Sequence, residues 1–298
     1  MNGTIAPVLV TGATGNVGRE VVRSLQALDI PFVAAGSDPA RVKARFGETV
    51  ATVPLDLTQP RTYAAAVHGM RGLFLLRPPP ISNVRETLNV LIEQAIDAGV
   101  EHIAFLSVDG ADRHWWVPHH AIEAHLITSG ISATILRPGF FAQNLGDAYL
   151  TDIREHQRLY VPAGNGRVAF VDVRDVAEIA ARSFVDESLR RQAWTLTGPE
   201  AVRFDEVATK LSAYLGREIH YLPASILGYA LHLWRRRMPW MQILVQTVLH
   251  VGLRFGNAAR VDLSLSRLLG RPARSIEQYI NDNRSLWSND AHTAPAKR

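Results

Sequence analysis

Three glycines, Gly12, Gly15 and Gly18, are the first residues whose spacing in this chain could do chemistry. They stand in V-L-V-T-G-A-T-G-N-V-G-R-E-V-V, where an apolar run enters a turn and an amphipathic stretch leaves it. Such a turn binds phosphate. Gly12 permits a tight exit from a strand, Gly15 lets backbone approach a pyrophosphate, and Gly18 lets a helix pack closely on a sheet. The helix N-terminus meanwhile presents free N–H groups. Thr11, Gly12, Thr14, Gly15, Asn16, Val17 and Gly18 are therefore candidate dinucleotide-binding residues. The position, first strand running straight into first helix, separates this turn from a merely structural one.

A second cluster offers acid–base or metal chemistry: His114, His119, His120, Glu123 and His125, with Trp115 and Trp116 among them. His119 and Glu123 are four apart and share a helix face, whereas His125 is too far round to join them. No H-E-x-x-H occurs and a third ligand would have to come from elsewhere, so no metal site is expected. With no cysteine in the chain, thiolate metal sites, disulfides and a cysteine nucleophile are excluded. Trp115 and Trp116 suit a lid that stacks on a flat apolar substrate, with ordinary packing as the alternative.

These residues need a scaffold. Apolar, β-rich runs at Pro7–Thr11, Phe32–Ala35, Thr52–Leu55, Gly72–Leu76, His102–Ser107 and Ala133–Leu136 alternate with helix-like segments at Val17–Leu28, Pro39–Phe46, Arg61–His68, Asn83–Ala98 and His119–Ser129. Alternation of this kind predicts an α/β fold, a doubly wound (Rossmann) parallel sheet, followed by a smaller, mainly helical C-terminal substrate lobe. The expected division is a dinucleotide-binding core over 1–138, rejoined by 167–186. The lobe takes 139–166 and 187–287, and a flexible tail 288–298. Past Pro138 the pattern predicts a loop and helix over Gly139–Pro162, strands at Val168–Val173, Trp194–Thr197 and Ile219–Leu222, and a helix over Asp175–Asp186. Ile219–Trp234 and Met238–Leu253 carry no Asp, Glu, Lys or Arg and flank Arg235-Arg236-Arg237. Each run is too short to span a bilayer. The expectation is a buried helix pair whose Met241 and Leu244 help wall a substrate pocket; the rival is a membrane-surface hairpin. The chain has 298 residues, 47% hydrophobic and 20% charged, with a formal net charge of +4. That composition excludes disorder, collagen-like sequence and coiled coil, and the excess charge is too small to argue for nucleic acid. The N-terminal MNGTIAPVLV lacks the marks of a signal peptide, so a cytoplasmic protein is expected.

The spacing G-x-x-G-x-x-G, opening with T-G-A-T-G, resembles the extended and atypical short-chain dehydrogenase/reductases, the NmrA-like branch in particular. I-L-R-P-G-F-F at Ile135–Phe141 with Asn144, and F-V-D-V-R-D-V-A at Phe170–Ala177, agree with it. I-P-F-V-A-A at Ile30–Ala35, L-R-P-P-P at Leu76–Pro80, L-Y-V-P-A-G-N-G-R-V-A-F-V-D-V at Leu159–Val173 and the segment Leu268–Asn283 resemble the festuclavine/agroclavine dehydrogenase-like reductases and their bacterial relatives. The resemblance implies an NAD(P)H-dependent reductase delivering hydride to an electrophilic C=N, C=C, quinone or carbonyl group of a small apolar or aromatic molecule. The alternative it carries is a dinucleotide-binding redox sensor without turnover. It further implies that Asp56-Leu57 meets the adenine, that Leu76, Arg77 and Pro78 wall the cofactor crevice with Pro138, and that Phe140, Phe141 and Asn144 line the substrate side. Ser107 falls where the active-site serine usually stands. His119 falls where relatives carry a Lys, with Glu123 matching their Glu, so Ser107, His119 and Glu123 are the catalytic candidates. The chain departs from the common pattern in having no Tyr-x-x-x-Lys pair: neither Tyr nor Lys occurs between Ser107 and Ile131. At the ribose-reading position stands Gly36-Ser37-Asp38-Pro39. Asp38 is expected to cap the next helix. Ser37 stands where NADP-preferring relatives usually carry Arg, and with Arg41 it favours NADP(H) over NAD(H). The expected partner is a small-molecule substrate, with a homodimer left open.

Overall fold

The computed structural model describes residues 6–288. In its first half, strands and helices alternate: β1 (Val8–Val10), α1 (Asn16–Ala27), β2 (Phe32–Gly36), α2 (Pro39–Phe46), β3 (Thr52–Pro54), α3 (Tyr63–Val67), β4 (Gly72–Leu76), α4 (Leu88–Asp97), β5 (His102–Leu106), α5 (Pro118–Thr128) and β6 (Ser132–Pro138). There follow α6 (Leu150–His156), β7 (Arg158–Val161), β8 (Arg167–Val168), α7 (Val173–Arg182), β9 (Gln192–Leu196), β10 (Val202–Arg203) and α8 (Phe204–Leu215). β11 (His220–Pro223), α9 (Ile226–Arg235), α10 (Trp240–Leu253), α11 (Ser264–Leu269) and α12 (Ile276–Asp282) come next.

The chain divides into two units. The first holds the residues up to Pro138, Val173–Leu196 and Ser264–Arg271. Its seven-stranded sheet is parallel throughout, in the order β3-β2-β1-β4-β5-β6-β9. The order reverses between β1 and β4, the point beyond whose strand ends ligands bind in doubly wound sheets. β1, β4 and β5 are nearly continuous apolar runs because helices cover both faces of a parallel sheet. Leu9, Leu73, Leu75, Ile103 and Phe105 pack on one side with Leu88, Leu91 and Ile92 of α4.

The second unit holds Gly139–Asp172, Thr197–Leu263 and the residues from Pro272 onward. β7 pairs parallel with β11 and β8 antiparallel with β10. Its core gathers Leu145, Ile153, Leu159, Phe204, Leu211 and Trp287.

Several expectations need correction. The expected strand Val168–Val173 forms a strand only at Arg167–Val168, with a single bridge at Val171 beyond it, and Val173 already opens α7. The helix expected over Asn83–Ala98 begins only at Leu88. Before it, the Asn83 side chain donates to Glu86 at 2.6 Å and the Thr87 hydroxyl donates to the Asn83 carbonyl at 2.6 Å, holding a polar turn. The strand Arg158–Val161 lies inside a stretch read as loop and helix. The observed division also differs in its bounds, since β9 and Ser264–Arg271 join the first unit. Met241 and Leu244 are not on a buried helix pair. They lie on a face of α10 that is half or more exposed. Of the tail, residues 289–298 lie outside the described range.

Candidate active site

The glycine turn is built by three constraints. Thr11 closes the end of β1: its hydroxyl donates to the Phe74 carbonyl at 3.0 Å and accepts from the Leu76 amide at 3.1 Å. Gly12 has φ +60°, a left-handed conformation that costs an L side chain strain, and a Cβ there would strike Leu76 Cδ2 at 2.8 Å. Gly18 has no room at all, since its Cβ would lie 2.2 Å from the Gly12 carbonyl oxygen. That absence of a side chain is what lets α1 pack on the turn. Gly15 precedes α1 in extended conformation, its side-chain direction closed only by the Gly12 oxygen at 3.3 Å. No side chain caps α1 and no acidic residue stands in its first turn, so its N-terminus is electrostatically open to an anion.

At the end of β2 the Asp38 carboxylate accepts from the Ala40 and Arg41 amides at 3.0 and 3.4 Å, capping α2. Ser37 and Arg41 are exposed, and the Arg41 guanidinium meets no side-chain partner among the described residues. Beyond β3, Asp56 accepts from Thr58 and Gln59 and closes its own turn, and the Thr58 hydrogen bonds hold its carboxyl below the ordinary range. Tyr63 donates to the Leu57 carbonyl at 2.8 Å.

The catalytic candidates fall into two hydrogen-bonded groups, both in the first unit. The Ser107 hydroxyl donates a hydrogen bond to Glu123 Oε1. The same carboxylate accepts from Arg137 Nε at 3.1 Å and Nη2 at 2.6 Å, and Arg137 also pairs with Asp112 at 3.3 Å. Ser107 and Glu123 are buried. In the second group Arg77 Nε donates to His119 Nε2 at 3.4 Å, while its Nη1 holds the carbonyls of Pro78, Pro79 and Ile81. Because a guanidinium only donates, Nε2 must accept, and the imidazole proton sits on Nδ1. That Nδ1 is buried without a partner among the described residues. Burial first, then the Arg77 charge, push the His119 pKa down to about 3, so it is a neutral imidazole at physiological pH.

The remaining histidines part company. His120 Nδ1 meets the Ala111 carbonyl at 2.8 Å and His114 leans on Trp116. Trp115 and Trp116 are 77% and 64% exposed and meet edge to face. Pro138 is buried at the end of β6, its carbonyl accepting from Asp109. In the second unit Phe140 packs edge-on against Phe170 and His250, and Phe141 bridges to Val171. The Asn144 carbonyl accepts the Tyr149 amide. The sequence reading missed Arg137 as the cation of the buried network; its signal was a charged residue at the end of a mostly buried strand. It also missed the Tyr149 hydroxyl on His250 Nε2 at 2.5 Å.

A parallel sheet with reversed order, a glycine turn at its switch point and an open helix N-terminus define a dinucleotide-binding oxidoreductase scaffold. The family described as NAD(P)H-binding matches residues 12–187. The chain is 32% identical to the NAD(P)H azoreductase of Xenophilus azovorans, over 91% of this chain and 96% of that one. It is 27% identical to the agroclavine dehydrogenase of Claviceps fusiformis, over 94% and 98%. Among solved structures, the NADPH-dependent quinone oxidoreductase QOR2 of Escherichia coli, complexed with NADPH, superposes with a TM-score of 0.81 at 26% identity, covering 92% of this chain and 99% of that one. The protein belongs to the NAD(P)H-binding family, in its NmrA-like, atypical short-chain dehydrogenase/reductase branch, and is an NAD(P)H-dependent oxidoreductase.

The residues present fit that cofactor. The open α1 terminus and the missing side chains at Gly12 and Gly15 suit a pyrophosphate.

Proposed function

We propose that the protein reduces flat, apolar electrophiles such as quinones, iminium ions and related conjugated acceptors, taking NADPH in preference to NADH. The observation that carries this reading is the closed Ser107–Glu123–Arg137 network beside a neutral His119. Ser107 has given its hydrogen bond to Glu123, and Glu123 is held by Arg137. His119 carries no transferable charge-balancing proton near neutrality. These four residues therefore offer hydrogen bonds and position but no side-chain acid, and the acceptors they suit are those that need none. The cofactor, when bound, supplies the hydride, and the proton that completes the reduction comes from solvent. His119 Nδ1–H, unsatisfied among the described residues, is the donor we assign to the bound ligands, while Ser107 and Glu123 position α5 against β5 and β6. The exposed Trp115–Trp116 pair gives an aromatic acceptor a stacking surface. Preference for NADPH is supported by Asp38 turning its carboxylate onto α2, by the unpartnered Arg41, and by the NADPH bound in the similar quinone oxidoreductase.

NADPH oxidation against quinones, iminium salts, enones and aldehydes tests the reading. Turnover with quinones or iminium salts, and a kcat that stays flat from pH 6 to 8.5, is expected, since His119 stays neutral over that range. A bell-shaped profile would put a titrating acid in the site. Tight NADPH binding with no turnover on any acceptor would mark the protein as a redox sensor.

A further inference from the structure

The helices α9 and α10 expose the wrong face for a protein surrounded by water. On α10, Trp240, Met241, Leu244, Val245, Val248 and Leu249 recur at i, i+1, i+4, i+5, i+8 and i+9, which covers one half of the helix. All are half or more exposed, Trp240 at 72% and Val248 at 62%. The opposite half, turned inward, carries Ile243, Gln246, Thr247, His250 and Leu253, and is the less apolar of the two. α9 repeats the pattern: Leu227 is 83% and Trp234 66% exposed, while Tyr229 and Leu233 face the core. A contiguous apolar surface of this kind marks a binding face rather than chance exposure.

Charge says what it binds. Residues 219–261 contain no Asp or Glu and five arginines: Arg235, Arg236, Arg237, Arg254 and Arg260. The rest of the chain has 27 basic against 28 acidic residues, so the whole net charge of +4 originates in this stretch. In the turn between the helices Arg236 anchors inward, to Asp152 at 3.5 Å and the Ala148 carbonyl at 3.2 Å. Arg235 and Arg237 point to solvent with no partner among the described residues, Arg237 in a left-handed conformation at φ +57°. Trp234 and Trp240 flank them.

We infer that the α9–α10 hairpin docks this protein on an anionic lipid surface, lying in the plane of the interface. Two apolar half-helices enter the acyl boundary, the tryptophans sit at headgroup depth and Arg235 and Arg237 meet lipid phosphates. No helix among the described residues is long and apolar enough to cross a membrane, in keeping with a surface mode. A second copy of this chain is a poorer occupant, because its own acid-free face offers these arginines no counter-charge.

Flotation of the full chain with vesicles of phosphatidylcholine, alone or with about 30 mol% phosphatidylglycerol, tests this without any substrate. The protein is expected to float with the anionic vesicles at low salt and to be released as salt rises. Arg235→Ser/Arg237→Ser should weaken partitioning about 25-fold, about fivefold for each arginine near a charged surface. Trp240→Ser/Val248→Ser should weaken it while leaving the salt dependence in place, and both pairs should melt with the parent because the side chains are exposed. Quenching of the parent's tryptophan fluorescence by brominated lipid gives the same reading without a variant. Failure to float with anionic vesicles at low salt overturns the inference. So does a solution dimer that Trp240→Ser/Val248→Ser dissociates in a protein that ignores vesicles.

Discussion

Gly15 and Gly18 look alike in the sequence and differ in what surrounds them. Alanine at Gly18 would push a Cβ to 2.2 Å from a backbone oxygen that cannot yield. Gly18→Ala should cost about 1–3 kcal/mol of stability, read by denaturant melts. Gly15→Val meets only the edge of that oxygen at 3.3 Å, so the fold should hold. The branched side chain would nevertheless stand where backbone must approach pyrophosphate, and NADPH affinity by fluorescence titration should fall on the order of 100-fold, about 2.7 kcal/mol. Arg41 gives a second test. If it holds the 2′-phosphate, Arg41→Ala should weaken NADPH roughly ten- to hundredfold, the worth of about 1.5–3 kcal/mol for a charge-assisted contact, and leave NADH unchanged. Equal loss for both cofactors would place the arginine elsewhere. The glycines and the Asp38 cap were legible because each acts within a few residues of itself. The Ser107–Glu123–Arg137 network was not, because its members stand 16 and 14 residues apart and meet only once β5, α5 and β6 are side by side.

Elements were legible where burial and periodicity coincide, as in β4 and in β5, whose buried positions are apolar apart from His102. They were misread where a β-rich composition lacks a partner strand. Phe170–Asp172 is extended, yet it pairs only through the single bridge of Val171 to Phe141. The α9–α10 pair was misread for the opposite reason: freedom from charge was taken for burial, and here it describes an outward face. The segment leaving β4 shows how one side chain can set an element. Arg77 is largely withdrawn from water, and its Nη1 gathers the carbonyls of Pro78, Pro79 and Ile81 while its Nε reaches α5. The prolines supply no amides of their own to brace this loop. Arg77→Lys keeps the charge and loses the fork. The Ile81 amide, bonded to the Pro78 carbonyl at 3.0 Å, should then exchange hydrogen about tenfold faster while the β4 amides do not.

For the molecule as a whole, the buried histidines set the acid limit. His102 and His119 are pushed down to about 3 and His250 to about 4, each chiefly by burial. Unfolded, each titrates near 6.5, so the unfolded chain takes up protons that the folded one refuses. Their contribution is complete above about pH 7 and is lost as pH falls through 6.5 toward the folded values. Each histidine should cost about 2 kcal/mol between pH 7 and 5, seen as a falling urea midpoint. His102→Asn, placed among the hydroxyls of Ser132, Thr134 and Ser183, should flatten that slope by its share. The route of the chain has a further effect during synthesis. β9 joins the sheet beside β6 only after a long excursion, and α11 then packs on α7 and β9. Arg271 closes the arrangement on Asp175 and Glu178 at 2.9 and 2.5 Å, while Arg182 reaches back to the Leu268 carbonyl. A ribosome must therefore deliver most of the chain before the nucleotide-binding unit can acquire its last helix. Nascent chains halted before Ser264 should remain open to protease in α7, and release past Arg271 should protect them in a single step.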